Sequence, residues 1–265
     1  MSTADDTSAP DAVARAARAV QRFGRIVIVG GGCYGGYYVR QLTRAHRAGV
    51  VEWRELVVVD RDEQCAVSRL SGDDRPHALA IVTSDWRDYF ASYLGGTATD
   101  TEASDDTIVP SPLMPHLMAD WLIDRARMRW PERMVRVLPL ATAPPVPWQR
   151  AGEDGTHYVS FAEWMCPINC IEPARCPETR GERTWSMPIA ARAYVDAERA
   201  AGRALEPALV FHCTHRAYGV GMIDVRDVVA ADTAIATSAA DRDASFLVGT
   251  VSHCHGALRL VRVEH

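Results

Sequence analysis

Two rhythms of apolar and polar positions alternate along the first half of the chain. Arg25-Ile-Val-Ile-Val-Gly30 is a continuous apolar run closed by glycines, the pattern of a strand buried on both faces of a parallel sheet. Tyr37 to Arg47 follows with helical spacing, and Glu55-Leu-Val-Val-Val-Asp60 predicts a second buried strand. Together they have the length of one βαβ crossover. The order then repeats. A strand is predicted over Ala78 to Val82, a helix over Trp86 to Leu94, a small, polar and acidic loop over Gly95 to Asp106, a short strand at Thr107-Ile-Val-Pro110 and a helix over Leu117 to Met128. Upstream, residues 1–10 read as a polar leader and Asp11 to Arg22 as a short helix with Val13, Ala17 and Val20 on its apolar side. Alternating strands and helices predict an α/β fold built on a doubly wound, Rossmann-like parallel sheet.

After Arg133 the pattern loses this regularity. Residues 139–156 are broken by prolines, glycines and aspartates and read as a linker or an irregular surface excursion. A thiol-rich segment follows, then a helix over Ile189 to Ala201 and strands over Ala208 to Cys213, Phe246 to Ser252 and Leu258 to Val263. The expected organisation is a leader and short helix over 1–24, a nucleotide-binding domain over 25–135 and a Cys-rich, partly irregular portion over 136–265. The last strands could extend the first sheet.

Composition narrows the classes of function. The chain has 265 residues, 48% hydrophobic and 24% charged, which suits one large or two modest soluble domains. A net charge of -5 offers no general attraction to nucleic acid or anionic lipid, and no apolar run is long enough for a membrane span. Every basic residue is arginine, which excludes a P-loop lysine and a lysine Schiff base. The N-terminus lacks the order of a signal peptide. Seven cysteines, an odd number, fit a reducing compartment, so the cytoplasm is the expected location.

The first candidate site is the turn Val29-Gly30-Gly31-Gly32-Cys33-Tyr34-Gly35. It places G-x-G-x-x-G at Gly30, Gly32 and Gly35, between a strand and a helix. The first glycine permits the tight turn, the second lets a pyrophosphate approach the backbone and the third lets the helix pack close. Asp60, ending the next strand, is placed to accept hydrogen bonds from a ribose diol. It favours NAD or FAD over NADP, although Arg61 beside it could accept a 2′-phosphate. Cys33 lies within the turn at a helix N-terminus, where it is either a small residue beside phosphate or a reactive thiol with a lowered pKa. On these residues the segment 25–128 resembles the NAD(P)-binding Rossmann superfamily, which includes the nucleotide-binding domains of bacterial potassium-uptake regulators. The resemblance implies a fold and a nucleotide but no reaction. Trp86, after the third strand, departs from it by crowding the expected adenine pocket.

The second candidate site is Cys166-Pro-Ile-Asn-Cys170-Ile-Glu-Pro-Ala-Arg-Cys176-Pro. Thiols crowded on a proline-stiffened backbone suit a soft metal centre. The spacing matches neither a C-x2-C zinc finger nor the C-x2-C-x2-C ferredoxin run, yet proline after Cys166 and Cys176 suits an iron–sulfur loop. An iron–sulfur cluster, 4Fe-4S favoured, is therefore expected, with zinc or bare thiols as alternatives. A fourth ligand has to come from elsewhere, with Cys213 first and Cys254 or a histidine next. Two further segments, His212-Cys213-Thr214-His215 and His253-Cys254-His255, raise a second metal set of Cys213, His215, His253 and His255 if their strands are neighbours. In an extended strand Cys254 would face away from the two histidines flanking it. Glu163, Glu172 and Glu178 flank the thiols and read as solvated charges.

Three functions follow. The first is a redox protein joining a dinucleotide site to a cysteine-ligated cluster, for electron transfer or as an oxidoreductase subunit, with a protein redox partner or a second copy of itself. The second is a nucleotide-binding redox-sensing or accessory subunit. The third is an NAD-dependent dehydrogenase with structural zinc.

Overall fold

The computed structural model describes residues 20–97, 105–142, 144–164, 166 and 170–265, and among them forms a mixed α/β structure of two six-stranded sheets and five helices. Strands β1 (Gln21–Val29), β2 (Val51–Asp60), β3 (Leu79–Thr83) and β4 (Thr107–Val109) lie side by side in the order β3-β2-β1-β4, all parallel. Their apolar runs are continuous because both faces are covered. Ile26, Ile28, Leu56 and Val58 pack under helix α1 (Cys33–Arg47) through Val39 and Leu42. Val27, Val29, Val57 and Val59 face Phe90 and Leu94 of α2 (Trp86–Thr97) and Leu122 of α3 (Leu117–Arg129). The leader and most of the helix expected over 11–22 lie outside the described residues. Gln21 and Arg22 already belong to β1, so that helix does not reach them.

The second half contributes to both sheets. Strands β9 (Thr214–Ala217) and β10 (Val220–Asp224) extend the first sheet, with β10 antiparallel to β4. Tyr218 and Gly219 join them with φ of 44° and 80°, the two left-handed residues of a tight hairpin turn. The other sheet runs β6 (Trp148–Ala151), β7 (His157–Ser160), β12 (His255–Glu264), β11 (Ala244–Val251), β8 (Leu209–His212), and β5 (Met134–Leu138) also pairs with β12. The stretch over 139–156 is therefore not only a linker, since it supplies β6 and the turn of the β6–β7 hairpin. Every residue of β6 is exposed, so the strand leaves no apolar signature. Helix α4 (Met187–Ala200) packs on this sheet through Met187, Ala191 and Val195. One apolar cluster unites α2, α3 and α5 (Val225–Ser238) with both sheets, reaching Phe246 and Val261. Among the described residues no helix is long and apolar enough to cross a membrane.

A buried charge ties the layers together. Arg259 of β12 donates to Asp120 of α3, to Asp154 in the β6–β7 turn and, at 2.8 Å, to Thr156 Oγ1. Burial opposes ionisation of Asp154, but hydrogen bonds from Thr156 and Arg259 outweigh it and hold the carboxyl at about 2. A carboxyl lowered on folding stabilises fully above its unfolded value near 4, and that contribution disappears as pH falls through about 2. Wild-type unfolding free energy should therefore fall more steeply between those limits than that of Asp154→Asn, and parallel curves would refute the assignment. Arg259→Met, which leaves Asp120 only the longer contacts to Arg87 at 3.7 Å and His116 at 3.8 Å, should cost about 2 kcal/mol in denaturant unfolding.

Candidate functional site

The glycine turn is built tightly. Gly30 adopts φ of +88° and donates to Val59 O at 2.8 Å. A Cβ at Gly35 would stand 1.9 Å from Gly30 O, so only glycine lets α1 start this close to β1. Gly32 faces open space, with nothing within 4 Å of such an atom. Cys33 is exposed at the start of α1. The surroundings are less open. Both oxygens of Asp60 are already engaged, by Gly31 N at 2.6 Å and Asp62 N at 2.9 Å. The Trp86 indole donates to Val59 O at 3.0 Å and lies beside Gly30. Arg61 covers that ring at 5.2 Å and pairs with Asp85 at 2.6 Å. Asp60 thus holds the turn's own backbone, and the Trp86 indole packs against the strand end beside it.

A cavity of about 1020 Å³ opens beyond this turn. Tyr34 and Tyr38 line it from α1, Pro110 and Ser111 from the end of β4, and Tyr158, Cys213, His215, Thr250 and Cys254 from the second half. It therefore lies off the carboxyl ends of β1 and β4. The helices that follow these two strands pack on opposite faces of the sheet. Side chains after such strands diverge and leave a crevice, which is where open parallel sheets collect ligands.

The thiols gather on the far wall. Cys166, Cys170 and Cys254 line the cavity, and Cys176 stands close behind. Burial pushes the Cys166 thiol up, and Cys254, Cys170 and Cys176 add to the rise through their own charge. Donors are aimed at three of the four sulfurs. Trp164 donates to Cys166, and the Trp185 indole N–H reaches Cys254 Sγ at 3.3 Å beside Arg183. At Cys176 the backbone N–H groups of Thr179 and Glu178 and the Thr179 hydroxyl converge on the sulfur, and its thiol is lowered as a result. An indole N–H can only donate, so the Cys166 and Cys254 sulfurs are placed as acceptors, although burial still pushes both thiols up. Pro177 cannot donate, so the first amides available after Cys176 are those that bend back to it. Among the described residues, no three or more His, Cys, Asp or Glu side chains converge tightly enough to hold a metal ion as they stand. That holds for Cys213, His215, His253 and His255 as well.

Cys213 is set apart from the other thiols. It is packed so closely against Gly221 that a Cβ there would lie 2.5 Å from its sulfur, and burial, then Glu172, pushes its thiol up to about 12. Cys254, the second candidate for a fourth ligand, joins Cys166 instead. Residues 252–255 form a tight turn, with Ser252 N donating to His255 O at 2.8 Å, so Cys254 and His255 both face the cavity and strand alternation does not separate them.

Glu172 is the residue the sequence misplaced. Its side chain is only 4% exposed, on a backbone with φ of 48°, and it lines the cavity. Burial opposes its ionisation, but His215, Ser252 and the His253 N–H outweigh that and hold the carboxyl well below the usual range. Oε2 lies 3.3 Å from His215 Nδ1 and accepts from His253 N at 3.1 Å. Nothing near position 172 signals this, because its partners arrive from β9 and the β11–β12 turn.

Residues 118–264 match the model of the AF_1314_C family, described as "Uncharacterized protein, C-terminal domain". The match contains every thiol, histidine and carboxylate of the cavity wall and none of the glycine turn. No curated protein and no solved structure matches the chain.

The glycines of the turn should respond unequally to a methyl group. Gly35→Ala should lower stability by more than about 2 kcal/mol, because backbone must move. Gly32→Ala should stay within about 1 kcal/mol of wild type by thermal unfolding. Equal losses would contradict the described packing.

Proposed function

Because the chain belongs to the AF_1314_C family, whose description names no activity, its function has to be read from the cavity, and we propose a redox protein carrying a cysteine-ligated iron–sulfur cluster. Cys166, Cys170, Cys176 and Cys254 would hold the cluster. The observation that carries this reading is the set of donors aimed at the sulfurs. Cys166 and Cys254 on the cavity accept from indole N–H groups against the burial that raises both thiols, and Cys176 behind them accepts from backbone N–H groups that lower its thiol, contacts that would tune a cluster's potential. Zinc fits less well, since four thiolates about 2.3 Å from one ion would have to converge on a single point. A four-iron cluster would seat each thiolate on its own iron and so accept a wider tetrahedron of sulfurs. When bound, such a cluster supplies one-electron transfer.

The remaining residues have definable parts. Cys213, neutral and wedged against Gly221, would fill space, which revises its expected role as fourth ligand. The order β3-β2-β1-β4, covered by helices on both faces, supports a Rossmann-type, doubly wound reading of the first sheet. With Asp60 and the Trp86 side occupied, a bound cofactor would be held by the cavity at the ends of β1 and β4 and not by the full dinucleotide groove. Ile171, 57% exposed directly after Cys170, offers a protein redox partner an apolar contact close to the thiols.

Anaerobic purification with iron and sulfide analysis tests the assignment. About four irons per chain and broad visible absorbance are expected. Serine at 166, 170, 176 or 254 should each remove most of the iron, whereas Cys213→Ser should retain it. A colourless, iron-free wild type, or equal loss from Cys213→Ser, would overturn the reading.

A further inference from the structure

The cavity has a charge character that the thiols do not account for. Among the described residues that line it there is no arginine, although the chain's 29 basic residues are all arginine. Pro110, Pro112 and Pro115 form part of the wall, and proline has no N–H to offer an anion. The positive end of α1 lies at Gly32 and Cys33, and neither of these lines the space. His255 does line it, but burial lowers its pKa and favours the neutral ring. His215 is turned to Glu172, its Nδ1 3.3 Å from Oε2. Glu163, by contrast, brings an exposed carboxylate to the lining. Glu172 stands behind as a buried one, kept ionised against its burial by His215, Ser252 and the His253 N–H. The rest of the lining includes five aromatic side chains, Tyr34, Tyr38, Trp148, Tyr158 and Trp164, and an aromatic face attracts positive charge.

We propose that the cavity binds an organic cation of the quaternary-ammonium class, held by its aromatic lining and by the charge of Glu163. Such a cation has no N–H to satisfy, so it needs no hydrogen-bond acceptor within reach. Its methyl groups suit aromatic and proline surfaces, and its charge can use a single ring face without a second ring opposite. A phosphate or carboxylate ligand would meet no guanidinium here, and the phosphates of a nucleotide would have to lie outside these walls. At about 1020 Å³ the space leaves room for such a cation beside the thiol wall. The inference goes beyond the cluster reading and does not rest on it, because no thiol enters the argument.

The probe is choline, compared with 3,3-dimethylbutan-1-ol, which has the same shape with carbon in place of the charged nitrogen. Each is titrated calorimetrically into the full-length protein, with iron content measured separately on the same sample. Choline should bind saturably, and the neutral alcohol about tenfold or more weaker. Tyr34 and Trp148 are 38% and 43% exposed, so the double variant Tyr34→Leu/Trp148→Leu removes two rings from the lining without emptying the core. It should weaken choline about tenfold and change the alcohol little. Equal binding of the two probes to wild type overturns the proposal without recourse to any variant, as does absence of saturable choline binding. Unchanged choline affinity in the folded double variant overturns it as well. Charge-dependent binding by iron-free protein would uphold the cation site while the cluster assignment fails. Iron-loaded protein indifferent to the charge would do the reverse.

Discussion

Polar acceptors gathered away from water are costly unless N–H groups or cations meet them. The second half of this chain is arranged around that constraint. It brings Cys166, Cys170, Cys254 and the Glu172 carboxylate to one cavity, with Cys176 behind, and surrounds them with indoles, Arg183, His215 and backbone amides. The β11–β12 turn is the junction. Ser252 and His253 hold Glu172, Cys254 accepts from Trp185, and the His253 carbonyl accepts from Met187 N at the start of α4. The thiol segment is thereby tied to the sheet by its polar groups more than by apolar burial.

The first sheet contributes position. Its strand order opens a crevice at the ends of β1 and β4, and α1 directs Tyr34 and Tyr38 into it. The shared apolar cluster through α3 and α5 fixes that crevice against the second sheet. The cavity consequently has one aromatic wall from each half and one polar wall from the second. Neither sheet alone would enclose it.

Much of this was legible in the residues, for identifiable reasons. Strands covered on both faces announce themselves as unbroken apolar runs, so β1, β2 and β11 were readable, and the glycines mark where α1 begins. Trp86 stood out as a large side chain opening α2 just two residues beyond the end of β3. The exposed strand β6 and the short β9–β10 hairpin carry no such run, whereas α5, which was not expected, does present a helical apolar stripe at Val225, Val228, Ala231 and Ile235. At the candidate site, Cys166, Cys170 and Cys176 stood out in the sequence from their crowding. That Cys254 faces the cavity depended on a turn that breaks strand alternation at residues 252–255. Glu172 was unreadable, since its burial is created by segments remote in sequence and by a backbone conformation that no local pattern requires of glutamate.

Iron-edge X-ray absorption on anaerobically prepared protein tests most directly whether these sulfurs share a single centre. The account predicts first-shell scattering from sulfur alone together with a short iron–iron path. A first shell of oxygen and nitrogen, or isolated iron with no metal neighbour, would contradict it.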